Sequence, residues 1–185
     1  MPNTIVRNMN ALGVAGITFI LAMGLFIQVT YGELPCPLCL LQRVGFALVL
    51  YGFMLNVVQG LRFRHYGIII FGALFGAAVA LRQISLHIIP GTGTYGPPIL
   101  GLHLYTWAFV LFSATLLAAG IVLVVSRDGP TEAPVVLTRF ERIVCWSATV
   151  IVAVNVVATF LQCGPLVCDD DPVSYKLLTQ IIGSE

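Results

Sequence analysis

The sequence predicts an all-α membrane protein with five transmembrane helices, and composition, run length and charge placement all support this fold class. Hydrophobic residues make up 58% of the 185 residues and charged residues only 9%, against roughly a quarter charged in ordinary soluble domains. The apolar residues form runs that match the roughly 20 residues a helix needs to cross a bilayer. Most of the cations fall between these runs.

The five runs are taken in chain order. We expect membrane spans at about residues 10–30, 39–60, 66–88, 102–125 and 143–162. The first run is longer than the roughly 7–15 residues of a signal-peptide core, and QVTYGELP after it lacks a small-x-small cleavage pattern, so we expect it to remain as a span. Arg82 and His87 interrupt the outer end of the third run. With no low-complexity linker or convincing repeat, we expect one integral membrane domain over residues 1–185, ending in an external tail, 163–185.

The positions of the cations predict the orientation, because short loops rich in Lys and Arg stay in the cytoplasm. Six arginines fit one side: Arg7, Arg62, Arg64, Arg127, Arg139 and Arg142. The other side holds Glu33 and the acidic segment CDDDP, whose only clear cation is Lys176. We therefore expect the N-terminus inside and the C-terminus outside. The interfacial aromatic residues would then be Tyr31, Tyr95, Tyr105 and Trp107 outside and Trp146 inside, unless these rings are simply lipid-facing bulk.

Four of the five cysteines, Cys36, Cys39, Cys163 and Cys168, fall on the predicted outer side. In a bacterium that compartment is oxidising, so pairs there readily form disulfides. The C-x-x-C pair has three interpretations: a redox dithiol, a structural disulfide, or half of a tetrathiolate zinc site completed by the tail cysteines. A ring this short removes little chain entropy, which disfavours a purely structural role. Cys145 has apolar neighbours, and we expect it to be a packing residue.

The residues around the C-x-x-C pair favour redox chemistry. Pro37 suits the first turn of a helix, so Cys36 can be the N-cap of the second span. The unpaired N–H groups and the positive end of that helix then favour a thiolate. Arg43 follows Cys39 by four residues and Cys36 by seven, which places all three on one helical stripe. A charge inside a span usually has a functional partner; the alternative is an arginine that only snorkels to the headgroups.

Two further residues are candidates for binding an electron acceptor together with Arg43. Arg82 lies at a comparable depth near the outer end of the third span, where the same argument applies. His87 follows five residues later, close to the interface, where it is equally a proton donor or a polar boundary residue. We predict no metal ligand among the residues of this site.

At CPLCLLQR, residues 36–43, the sequence resembles the DsbB family of bacterial disulfide-generating membrane proteins. The family's signature is C-x-x-C followed four residues on by arginine, at the head of the second transmembrane helix. The resemblance extends more loosely through ALRQISLHIIP and GLHLYTW, and covers roughly residues 10–125. It implies a four-helix transmembrane bundle, to which this chain adds a probable fifth helix. It also implies a bound quinone, either ubiquinone or menaquinone, and a periplasmic thioredoxin-like partner of the DsbA type.

The chain departs from the family in its second cysteine pair. Family members usually hold that pair in the external loop between helices three and four, whereas residues 88–102 contain no cysteine. The fifth span instead brings Cys163 and Cys168 to the same predicted side. Our hypothesis is that this tail pair replaces the loop pair, on a short segment with Asp169–Asp171 and Pro172 that can swing between the partner and the C-x-x-C.

These observations predict a quinone-dependent thiol:disulfide oxidoreductase of the bacterial inner membrane, with its redox cysteines on the periplasmic side. The two cysteine pairs would pass electrons in sequence, and Arg43 would stabilise negative charge as it develops on the quinone oxygens. The chain has no Gly-rich phosphate loop for a soluble nucleotide and no clustered basic face for nucleic acid. The alternatives are a vitamin K epoxide reductase-like protein, which commonly places its C-x-x-C late in the bundle, and a non-catalytic zinc-binding or assembly subunit.

Overall fold

The computed structural model describes residues 3–88, 98–125, 136–165, 167–170, 172–177 and 179. Its helices are α1 (Asn3–Tyr31), α2 (Pro37–Gln59), α3 (Phe63–Leu86), α4 (Leu104–Val125) and α5 (Arg139–Cys163). All five are long and apolar enough to cross a membrane. Within the described ranges, extended pairing is limited to one isolated bridge between Ile99 and Leu102. The predicted all-α membrane fold with five spans is therefore confirmed.

The helices begin and end within a few residues of the predicted spans, except at the start of α1. That helix begins at Asn3 rather than near residue 10. Polar side chains near this end of α1 find partners on neighbouring helices: Arg7, in the extra turns, pairs with Glu141 of α5, and the Asn10 amide donates to the Tyr66 hydroxyl at 3.0 Å. Because these groups are satisfied by neighbouring helices, the helix can continue past the apolar run.

The helices pack as a bundle in which α2 is central. It lies between α1 and α3, α4 packs on α3, and α5 packs on α1 with a smaller contact to α2. Glycines allow α2 and α3 to approach closely: a Cβ on Gly45 would lie 2.9 Å from the Gly76 Cα, and a Cβ on Gly76 would lie 2.1 Å from the Phe112 ring of α4. Small residues at helix crossings are the usual means of close packing in membranes.

Polar networks mark the two ends of the bundle. The end that carries the start of α1, here called the inner end, contains the Arg7–Glu141 pair and a buried chain in which Asn56 donates to Asn10 at 2.9 Å. The opposite end, called the outer end, carries the starts of α2 and α4 and the ends of α1, α3 and α5. Both cysteine pairs therefore lie at the outer end.

The predicted interfacial aromatic residues have different environments. Tyr31 and Trp146 are exposed on the helix surface, as expected for a belt. Tyr105 is instead buried, because it faces the interior at the outer end of the bundle. Three residues of the predictions, Tyr95, Arg127 and Asp171, lie outside the described residues.

Candidate functional site

The C-x-x-C pair lies at the first turn of α2. Cys36 is the N-cap with extended backbone (φ −64°, ψ 163°), and Pro37 takes the first helical position, as the sequence predicts. The Cys36 Sγ accepts a hydrogen bond from the backbone N–H of Cys39 at 3.2 Å. The two sulfur atoms are 2.6 Å apart and belong to free thiols. The hydrogen bond between these sulfurs, together with burial, raises the pKa of Cys36.

A buried glutamine that the sequence analysis did not single out connects both sulfurs to α3. Gln83 has 0% exposure, and its Nε2 donates to the sulfurs of Cys36 and Cys39 at 3.3 Å each. Its Oε1 accepts from the Gln42 amide at 2.7 Å, which fixes the orientation of the Gln83 amide. Gln83 could have been predicted from its position on α3. It lies on the same helical face as Gly72, Gly76 and Ala80, which are small buried residues of that helix.

Arg43 lies one turn further along α2, where neutral oxygens hold its guanidinium. Its Nη1 donates to Gln28 Oε1 at 2.9 Å and to Asn155 Oδ1 at 3.1 Å, and its Nη2 donates to the Gly24 carbonyl at 3.2 Å. The side chain interacts electrostatically with Cys39. Within the described part of the chain no carboxylate forms an ion pair with Arg43, so its positive charge is held in place without being neutralised.

A cavity of about 810 Å³ separates α1 from α4 and lies directly against Cys39 and Arg43. Its floor is α2, where the Phe46 ring stacks on Phe112 with centroids 4.1 Å apart. Most of the remaining lining side chains are apolar residues of α1 and α4, among them Ile20, Ile27, Leu104, Trp107, Ala108 and Leu111. Phe19 and Met23, which also line the cavity, are exposed on the surface of α1. The mouth between the helices therefore faces the surroundings that a membrane would fill with lipid.

The two other predicted acceptor-binding residues lie at different distances from this cavity. Arg82 is exposed on α3 and is not part of the cavity wall. His87 follows the end of α3, where its Nδ1 is 2.8 Å from the Gln83 carbonyl and its ring centroid is 5.6 Å from that of Tyr105. Tyr105 lines the cavity. The structure thus brings His87, but not Arg82, to the edge of the site.

The tail cysteines, Cys163 and Cys168, are joined by a disulfide at the end of α5. Cys163 is buried and Cys168 is partly exposed. Gln162, immediately before Cys163, donates from Nε2 to the carbonyl of Pro35 at 2.8 Å. Pro35 immediately precedes Cys36, so this hydrogen bond connects the backbone next to the C-x-x-C to the end of α5, which carries the tail disulfide.

The described residues of the tail fold back over the outer end of the bundle. Lys176 forms an ion pair with Asp169 at 2.8 Å, and the Tyr175 hydroxyl accepts from Gln28 Nε2 at 3.0 Å. Pro172 and Val173 contribute to the cavity wall. The segment that follows the disulfide therefore forms part of the same site as the C-x-x-C.

The outer end thus combines two sulfur pairs, a fixed cation and an apolar cavity. Thiol–disulfide exchange can pass two electrons from one pair to the next, and the cavity offers space beside the last pair for an acceptor. Among the residues that the structure describes, no three His, Cys, Asp or Glu side chains gather into a metal-binding group.

Comparisons with known proteins agree with this chemistry. The family model described as Disulfide bond formation protein DsbB matches residues 6–94. Disulfide bond formation protein B 2 of Burkholderia lata is 33% identical over an alignment of 141 residues, covering 60% of this chain and 83% of the relative. Disulfide bond formation protein B of Xanthomonas euvesicatoria is 31% identical over 116 residues, covering 59% of this chain and 67% of the relative. The family match ends before α4, so α5 and the tail lie beyond it.

Proposed function

This chain belongs to the DsbB family of disulfide bond formation proteins, and we propose that it oxidises a periplasmic thioredoxin-like dithiol protein of the DsbA type and reduces a membrane quinone. Its family and its five apolar helices make it a multi-pass membrane protein of disulfide bond formation. The observation that carries the finer proposal is the placement of Cys39 and Arg43 on the wall of an apolar cavity. That placement leaves space beside the sulfur pair where an acceptor could bind from within the bilayer.

The first exchange would take place at the tail disulfide. Cys168 is the more exposed of the two cysteines, so the partner's thiolate attacks Cys168 and Cys163 leaves as a thiolate. The partner's second thiolate then displaces Cys168 from the mixed disulfide. The partner departs with a new disulfide, and Cys163 and Cys168 hold the two electrons as a dithiol.

The second exchange would pass these electrons to the C-x-x-C in its disulfide form. The Gln162–Pro35 hydrogen bond joins the residue before Cys163 to the residue before Cys36. In this proposal the Cys163 thiolate attacks the Cys36 sulfur, and Cys39 leaves as a thiolate. Cys168 then displaces Cys36, which restores the tail disulfide. Cys36 takes up a proton because its pKa is raised, and the negative charge remains on Cys39 at the cavity wall.

The residues around Cys39 suit the final oxidation. A quinone supplies this site with an acceptor for two electrons and two protons. Gln83 donates to the Cys39 sulfur and stabilises its thiolate before oxidation. Arg43 keeps an uncancelled positive charge in a low-dielectric site, where a fixed cation stabilises negative charge developing on a ring oxygen. A mostly apolar wall lowers the local dielectric, which strengthens this electrostatic effect.

We expect the cavity to hold the quinone ring and the first part of its isoprenoid chain. A volume of about 810 Å³ lies within the roughly 300–1,000 Å³ of small-molecule sites. The mouth between α1 and α4 leaves room for the remaining apolar chain to extend into lipid. A ubiquinone or a menaquinone meets the same requirements, since both combine a polar ring with a long apolar tail.

The arginines at the inner end support the proposed orientation in the bacterial inner membrane. Arg62 and Arg64 lie at the start of α3, and Arg139 and Arg142 at the start of α5. Under the positive-inside rule this end is cytoplasmic. The outer end, with both cysteine pairs, then faces the oxidising periplasm.

The test is a turnover assay with purified protein in detergent, a reduced DsbA-type protein and a quinone, followed by quinone absorbance. We expect one quinone reduced for each partner disulfide formed, and no sustained partner oxidation without quinone. Cys168→Ser should abolish partner oxidation while dithiothreitol still drives quinone reduction through Cys36 and Cys39. Cys145→Ser is the matched control and should retain full activity. Undiminished partner oxidation in Cys163→Ser and Cys168→Ser would make the tail pair a structural disulfide.

The same assay tests the predicted acceptor-binding residues. Arg43→Ala should raise the KM for quinone and lower kcat while the protein remains folded. The assignment of Arg82 and His87 to quinone binding stays a prediction, and a raised KM in Arg82→Gln or His87→Gln would support it. An unchanged KM for quinone in Arg43→Ala would remove the cation from the mechanism.

A further inference from the structure

We propose that Asn155 of α5 is a positioning residue for Arg43, which makes the fifth helix a working part of the quinone-reducing site. This inference rests on the proposed function. Asn155 lies in the middle of a helix outside the matched family region, and its Oδ1 accepts from Arg43 Nη1 at 3.1 Å. The same Nη1 donates to Gln28 of α1. The guanidinium is therefore held between α1 and α5, and its direction depends on both helices.

The orientation of the Asn155 amide is fixed by its own helix. Its Nδ2 donates to the Ile151 carbonyl at 2.9 Å, which leaves Oδ1 as the atom that faces Arg43. The side chain is 7% exposed, so water does not compete for that oxygen. An apolar residue at this position would fill the space but would leave one guanidinium donor without its acceptor.

The charge state of the acceptors matters as much as their position. Gly24, Gln28 and Asn155 all offer neutral oxygens, so they orient the guanidinium without cancelling its charge. A carboxylate at position 155 would keep the volume and the hydrogen bond from Arg43. It would lose the donation to the Ile151 carbonyl and would neutralise the cation. An asparagine meets both requirements, because it accepts a hydrogen bond and carries no charge.

The tail supports the same arrangement through Gln28. Its Nε2 donates to the Tyr175 hydroxyl, which turns Oε1 of the same amide toward Arg43. Asn155 and Tyr175 lie on either side of the tail disulfide in the chain. The region that carries the second cysteine pair therefore also sets the position of the cation beside the first pair.

The experiment compares Asn155→Ala, Asn155→Asp and the control Thr149→Val for their quinone KM, kcat and thermal midpoint in detergent. Thr149 is an exposed α5 residue whose side chain donates only to its own helix. We expect Asn155→Ala to raise the KM for quinone about tenfold, the change that follows from losing one hydrogen bond to a charged group. Asn155→Asp should impair quinone reduction at least as strongly, although its ion pair with Arg43 should keep its thermal midpoint at or above that of Asn155→Ala. Thr149→Val should match the wild type.

The aspartate variant separates positioning from packing. If Asn155 only held α5 against the bundle, the ion pair in Asn155→Asp would restore both stability and quinone KM, and that result would overturn the inference. A wild-type KM in both Asn155 variants would overturn it as well. A single-turnover measurement without quinone, in which the partner reduces the C-x-x-C disulfide, should proceed at the wild-type rate in all three variants. Failure of the wild-type protein to reduce quinone when supplied with the reduced partner would instead contradict the proposed function itself.

Discussion

At the scale of single residues, Gln83 decides the environment of the redox sulfurs. One fully buried amide donates to both Cys36 and Cys39 and accepts from Gln42. A thiolate is a stronger acceptor than a disulfide sulfur, so this amide stabilises the reduced pair more than the oxidised pair. Gln83 thereby contributes to how readily the C-x-x-C accepts electrons.

We predict that Gln83→Leu makes the C-x-x-C less oxidising. Losing a hydrogen bond of about 1 kcal/mol from the reduced state corresponds to about 20 mV, since 30 mV equals about 1.4 kcal/mol for a two-electron couple. Equilibration with glutathione buffers measures the potential. Ser85→Ala on the same helix is the control, because the Ser85 hydroxyl is exposed and donates only to the Leu81 carbonyl. A potential that is equal or more positive in Gln83→Leu would contradict this role.

We also predict that the two thiols of the reduced C-x-x-C react at different rates. Cys36 is 3% exposed and its pKa is raised, so at pH 8 little of it is thiolate. Iodoacetamide should therefore modify Cys39, which lines the cavity, well before Cys36. Timed alkylation followed by mass spectrometry of the peptide gives the order. Unfolding in detergent and denaturant should equalise the two rates, and faster modification of Cys36 in the folded protein would count against the assigned roles.

The sequence predicts residues whose signal is local and misses those whose partners come from elsewhere in the chain. The N-cap position of Cys36 and the helical stripe through Arg43 follow from neighbours within one or two turns. Gln83 and Asn155 meet these residues only after α3 and α5 have packed. Arg82 was predicted as a site residue from its charge. The neutral amide next to it, Gln83, is the side chain that contacts the cysteine sulfurs.

At the scale of helices, bilayer thickness makes the spans predictable, and polar contacts determine their ends. Each apolar run became a helix because an isolated backbone cannot leave its hydrogen bonds unmade in lipid. The early start of α1 depended on Glu141, a residue far away in the chain. How closely two helices approach depends in turn on small residues at their crossing, such as Gly76.

We predict that Gly76→Ala destabilises the bundle by about 1–3 kcal/mol, the usual cost of overpacking. A Cβ at this position would overlap the Phe112 ring, which also stacks on Phe46 at the cavity floor. Thermal unfolding in detergent measures the change. Gly67→Ala on the same helix is the control: a Cβ there meets nothing within 4 Å, so alanine's higher helix propensity should leave stability equal or greater. Equal midpoints for the two variants would show that α3 and α4 can separate without cost.

At the scale of the whole molecule, the fold separates a cationic inner end from a sulfur-rich outer end. The all-α class and the number of spans followed from composition and run length. The pairing order of the helices did not, because apolar runs of similar length carry little information about which neighbour each one packs on. The placement of α5 against α1 rather than α4 is what brings the tail disulfide and Asn155 to the C-x-x-C.

We predict that this separation can be read by thiol labelling in cells. A membrane-impermeant maleimide, added after mild reduction, should label Cys168 in a variant whose other cysteines are serine. In the matched cysteine-free background, Arg142→Cys at the inner end should be labelled only after the membrane is permeabilised. The reverse pattern would place the cysteine pairs in the cytoplasm and contradict the proposed function.

The gap between α1 and α4 also determines which quinone concentration controls the rate of the final oxidation. A quinone that enters sideways arrives by two-dimensional diffusion, so its supply depends on its mole fraction among the lipids and on their fluidity. Concentration in the surrounding water has no influence on it. When the reduced partner protein is saturating, lipids with stiffer acyl chains should slow turnover even though no residue of the protein has changed.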